Sequence, residues 1–190
     1  MQPRRCCRKT PDRLLRKREA NKARRAGRPR ATVTAQQQFE TFLRKYDPAV
    51  SSEGKKCLAK LRRLVPGAIE MVYDNYNFLV VGFGPSIRPS EAILSIVFTP
   101  RWVTLCFLQG KGLPDPEKQL RGSGNVVRNI RLEGGAKTLD DPYVRTLIGH
   151  ALKRAKVGIP TGQNRQFIIK SVSAKQRPRR PAKAKGAPKK

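Results

Sequence analysis

Hydrophobic positions recur at helix-like and strand-like intervals between Val33 and Val172 and become sparse on either side. Thr34 can cap a helix in which Phe39, Phe42, Leu43 and Tyr46 share one face, and Asp47-Pro48 then opens a second helix. That second helix turns Val50, Cys57, Leu58, Leu61, Leu64 and Val65 inward, and Pro66-Gly67 stops it. Strand-like runs follow at 68–73, 77–83, 92–99 and 102–108, separated by Asp74-Asn75, Gly84-Pro85-Ser86 and Pro100-Arg101. Such short separations predict an antiparallel meander. Leu94, Ile96 and Phe98 share one face of the third run while Ser95 and Thr99 share the other, as expected of a sheet covered by helices on one side. A turn of helix near Asp115 to Leu120 and a fifth strand over 126–132 come next. Asp140-Asp141-Pro142 starts a helix to about Lys156 with Val144, Leu147, Ile148, Ala151 and Leu152 as its buried stripe, and a sixth strand spans 167–172. The predicted fold class is α+β, a two-layer sandwich of about six mainly antiparallel strands with the helices on one face.

A chain of 190 residues with 38% hydrophobic content can bury one core, placed here over 32–174, and the two ends are too polar to belong to it. Segments 1–31 and 175–190 read as disordered basic tails, because Arg, Lys, Ala and Pro dominate them and few large apolar residues offset the entropy of ordering. Lys and Arg number 42 against 13 acidic residues, a formal net charge of +29 that bears on partners and solubility rather than on fold. No run reaches the roughly 18 to 20 apolar residues of a membrane span, and the Arg-rich start lacks the apolar centre of a secretory signal. The expectation is a cytoplasmic protein with no membrane partner. Cys6 and Cys7 are adjacent, Cys57 and Cys106 sit among apolar neighbours, and the single histidine, His150, has no ligand-type residue at metal spacing. No metal site, catalytic set or cofactor is therefore predicted.

Three groups of residues can carry binding chemistry. In a simple meander the turns after the first and third strands lie at one end of the sheet, so Tyr73, Asp74, Asn75, Tyr76, Arg101 and Trp102 can form a polar and aromatic rim for a planar ligand. Ordinary turn chemistry explains the same residues. At the other end Arg88, Arg121, Ser123 and Lys175 can surround a phosphate or carboxylate, with Gly122 and Gly124 opening the backbone to it. A structural loop is the alternative, and the Walker spacing is absent. In the tails Arg24, Arg25, Arg28 and Arg30 surround a Gly-Arg-Pro core that resembles an AT-hook, with Ala26 where an arginine is expected. Lys183, Lys185, Lys189 and Lys190 lie in a Pro, Ala and Lys mixture similar to linker-histone tails. Both tails suit nucleic acid or another polyanion bound through counterion release, and both also suit a solvated solubility tail.

The strings "VPGAIEMVYDNYNFLVVGFGPS", "ILSIVFTPRWVTLCFLQG", "LPDPEKQLRGSGNVVRNIRL" and "IIKSVSAKQRPRR" resemble the YdhG-like family of domains of unknown function, over about residues 36 to 178. The resemblance implies a frataxin-like sandwich, and one branch of that family is described as an intracellular iron chaperone. Iron would depend on clustered carboxylates, yet the first two helices offer only Glu40, Asp47 and Glu53 among many cations. The expected function is a non-enzymatic binding module with affinity for nucleic acid. An iron chaperone and an enzyme using the polar rim are the alternatives.

Overall fold

The computed structural model describes residues 33–162 and 164–181. The chain divides into two units, Met1–Val33 and Thr34–Lys190, and the architecture that follows belongs to the second. Helix α1 (Ala35–Leu43) begins with a full capping box, since the Thr34 hydroxyl accepts from the Gln37 amide while the Gln37 side chain accepts from the Thr34 amide. Helix α2 (Pro48–Leu64) is capped by Asp47, whose carboxylate accepts from the Ala49 amide. Then come β1 (Ile69–Asp74), β2 (Leu79–Gly84), β3 (Leu94–Phe98), β4 (Val103–Phe107), β5 (Arg128–Arg131), α3 (Pro142–Arg154) and β6 (Phe167–Val172). Short 3-10 turns at Pro89–Glu91 and Gly135–Asp140 were not anticipated from the sequence. The turn expected near Asp115 to Leu120 is not helical. There the Asp115 carboxylate accepts from the Gln119 and Leu120 amides, so a side chain supplies the acceptor that a helix would find in its own backbone.

The six strands form one sheet in the order β5-β4-β3-β2-β1-β6. Neighbours pair antiparallel from β5 through to β1, and β6 lies parallel to β1 at the far edge. The fold is thus α+β with a mainly antiparallel sheet. Side chains of Val72, Val81, Phe83, Ile96, Phe98 and Leu105 point into the layer of helices, where Phe39, Leu58, Leu61, Val144 and Leu147 meet them. On the opposite face Ile69, Met71 and Ala92 form a smaller cluster bordered by Tyr73 and Ile168.

Two glycines set how closely the layers approach. A Cβ on Gly54 would fall within the Phe98 ring, so α2 can lie against β3 only without a side chain at that position. Gly135 has φ of 60°, and a Cβ there would meet the Glu53 carboxylate, which accepts a 2.6 Å hydrogen bond from the Ala136 amide. Among the described residues no helix is long and apolar enough to cross a membrane.

Candidate functional site

Strand β1 carries two carboxylates, Glu70 and Asp74, on the face that packs against the helices, and both are fully buried. A bare carboxylate would not persist there, because burial of an unpaired charge costs several kcal/mol or more. Glu70 is clamped by Arg62, whose Nε reaches Oε1 at 2.9 Å and whose second nitrogen reaches Oε2 at 2.8 Å, with Arg165 3.4 Å away. Asp74 is held by Lys45 at 2.8 Å and by Arg179 at 2.9 Å.

Arg179 belongs to the segment that the sequence assigned to a tail. Lys175–Pro181 instead folds back over the end of β1. The Ser173 amide donates to the Asp74 carbonyl, and the Arg177 amide donates to the Tyr76 carbonyl. The buried Arg179 guanidinium also donates to the Asn75 carbonyl and lies over the Tyr46 ring. Arg180 donates to the carbonyls of Tyr46 and Arg44. The folded part therefore continues past Ala174 through at least Arg180, because an ionic partner in the core anchors a segment that has almost no apolar side chains of its own.

Tyr46 closes this end of the sheet. Its hydroxyl accepts from the Leu79 amide at 2.9 Å and donates to the Phe98 carbonyl at 3.3 Å, bridging β2 and β3. Burial pushes its phenol up to about 12, although Arg179 and the Leu79 amide pull the other way. The Cys57 and Cys106 thiols are likewise pushed up by burial, to about 12 and about 11, so both stay protonated and unreactive at neutral pH.

The expected rim divides. Tyr73, Asp74, Asn75 and Tyr76 do lie at the same end of the sheet as Arg101 and Trp102, as the meander required. Two strands separate β1 from β4, however, which puts about 14 Å between the groups. Asp74 is sealed by Lys45 and Arg179, and Tyr73 projects to the opposite face of the sheet. Tyr76 is exposed, with the Arg177 guanidinium 5.5 Å from its ring centre.

Arg101 and Trp102 line a separate open groove of about 790 Å³, bounded by the start of α2, the start of β4, the end of β5 and the Gly134–Lys137 turn. Over the Trp102 ring lies Arg131, with its guanidinium carbon 3.9 Å from the ring centre. Lys137 and Glu53 also line the groove. The Glu53 carboxyl is held below its ordinary value chiefly by the Ala136 amide.

The expected anion site is not assembled. Arg88 pairs with Glu91 in the β2–β3 connection, and Arg121 bridges to the outer edge of β5 and pairs with Glu133 at 3.7 Å. Ser123 is exposed in the loop before β5. Lys175 follows the end of β6, which runs parallel to β1, so it lies at the opposite end of the sheet from Arg88. Only a β6 antiparallel to β1 would bring Lys175 to the end of the sheet where Arg88 lies.

Asp115 accepts from the Tyr143 hydroxyl as well as from two amides. These hydrogen bonds outweigh its burial and lower its carboxyl, while burial together with Asp115 raises the Tyr143 phenol to about 12. Among the described residues no three His, Cys, Asp or Glu side chains come together as a metal site. Arg24, Arg25, Arg28, Arg30, Lys183, Lys185, Lys189 and Lys190 lie outside the described residues. No family model, curated protein or solved structure matches the chain.

Proposed function

We propose that this protein is a non-enzymatic module that binds nucleic acid, with its basic end segments supplying most of the attraction. The observation that carries this reading is the fate of the carboxylates. Of the 13 acidic residues, Asp12 and Glu19 lie in the N-terminal segment, and every other one is engaged inside the domain. Glu40, Glu70, Asp74, Glu91, Glu133 and Asp140 pair with cations, and the rest accept from backbone or side-chain donors. With 42 Lys and Arg against 13 acidic residues in the chain, a large positive excess is left without an acidic partner.

Nucleic-acid phosphates match that excess, because neutralising them releases counterions and requires no fixed geometry. Arg24, Arg25, Arg28, Arg30, Lys183, Lys185, Lys189 and Lys190 are the phosphate contacts in this reading. A cytoplasmic location and membership of the YdhG-like family belong to the same proposal. An iron chaperone is the weaker reading, since Glu40, Asp47 and Glu53 hold three separate structural contacts. A rim enzyme is weaker too, because its groups lie about 14 Å apart.

Anisotropy of a labelled oligonucleotide tests the proposal. The full chain is expected to bind with log K falling linearly against log salt, and residues 33–181 alone to bind far more weakly. The shorter chain ends at Pro181 so that Arg179 keeps its place on Asp74. Equal affinity of the two forms rejects the role of the end segments. Absence of salt-sensitive binding by the full chain rejects the nucleic-acid reading itself.

A further inference from the structure

We infer that the groove beside Trp102 is a base-stacking subsite for single-stranded nucleic acid, an inference that rests on the proposed nucleic-acid reading and adds to it a contact made by the folded domain.

The groove offers both halves of a nucleotide a matching surface. Trp102 is partly exposed, and the Arg131 guanidinium carbon lies over its ring at 3.9 Å, giving an aromatic and cationic surface on which a base can stack. The Nε of Arg131 is buried with no hydrogen-bond partner, and the nearest carboxylate oxygen, on Glu133, is 3.9 Å away. Arg131 therefore meets a ligand through the rest of its side chain, which is 39% exposed, and not through Nε. Arg101 and Lys137 are exposed on the groove walls, where a backbone phosphate would pass.

Val50, Val103 and Leu132 supply an apolar floor against which the planar part of a ligand loses water. The groove also contains two carboxylates, both already engaged: Glu53 by the Ala136 amide, and Glu133 by Arg121 and Arg131. At about 790 Å³ the groove is of the size that holds a nucleotide-scale ligand. Because it is open rather than enclosed, it suits a strand passing through better than a trapped small molecule.

Trp102 is the only tryptophan in the chain, so its fluorescence reports this groove alone. Titration of the full chain with oligothymidylate at moderate salt is expected to quench that fluorescence saturably. Heparin, a polyanion without bases, is expected to displace a labelled oligonucleotide without comparable quenching. The exposed-site double variant Arg101→Ala, Lys137→Ala should shift the quenching midpoint roughly tenfold to higher oligonucleotide concentration.

Oligonucleotide binding without quenching, equal quenching by heparin, or an unmoved midpoint in the double variant would overturn the groove assignment and leave the nucleic-acid reading standing. No oligonucleotide binding by the full chain in anisotropy would overturn both.

Discussion

Glu70 shows how much of a stable fold can rest on one charged residue in a strand. Its carboxylate is fully buried, and a two-pronged contact from Arg62 answers it, with Arg165 at the rim. Glu70→Ala leaves the half-buried Arg62 guanidinium without its acceptor, and breaking such a pair from one side costs about 3–5 kcal/mol. Lys55→Ala removes an ion pair of the exposed kind, with Glu40, and is expected to cost about 0–1 kcal/mol. Urea denaturation followed by circular dichroism compares the two, and similar midpoints would mean that burial does not set the value of the Glu70 pair. The sequence placed 68–73 in a strand and Asp74 in the turn after it, whereas β1 runs through Asp74, and alternation could say only that Glu70 shares a face with Val72. It could not name Arg62, which reaches Glu70 from a neighbouring helix, or Arg179, which arrives at Asp74 from far along the chain. Periodicity reports which way a side chain points, whereas the partner of a buried charge is chosen by tertiary placement.

At the scale of elements, hairpins were legible and crossovers were not. The turns at Asn75–Phe78 and Thr99–Trp102 close through local backbone hydrogen bonds, so the hairpins of the meander from β1 to β4 were legible. Strand β6 reaches its place only after α3, and nothing local to Phe167–Val172 states which edge it joins or in which direction. That one parallel pairing removes Lys175 from the expected anion site and delivers Arg179 to Asp74. The closing segment was misread for a related reason: composition measures the apolar surface a segment can bury, and this one is held by a guanidinium, an aromatic ring and backbone carbonyls. Ending the chain at Ala174 should therefore lower stability by about 2–4 kcal/mol relative to ending it at Pro181, since Asp74 would keep only Lys45. Paired thermal melts of the two lengths decide the matter, and coincident transitions would reduce the folded-back segment to a passive cover.

Across the whole molecule, charge divides into an inner and an outer population. The carboxylates are spent on ion pairs, caps and turns, so they neutralise particular cations and do little to balance the net +29. Cations left over repel one another in the folded state, and screening relieves that repulsion over a Debye length that is about 8 Å at physiological ionic strength. Salt should therefore act on this protein in two opposed directions. Raising sodium chloride from a few millimolar to about 0.15 M is expected to increase the melting temperature of the full chain, while the same change weakens oligonucleotide binding. The buried pairs at Glu70 and Asp74 are shielded from solvent ions and contribute little to either trend. Residues 33–181, which lack much of the excess charge, should show the smaller thermal shift. Differential scanning fluorimetry across a salt series, run on both lengths, measures it. A melting temperature that falls with salt would mean that screened attractions outweigh repulsion, and the surplus of cations would then have to be balanced within the fold rather than held out toward a polyanion.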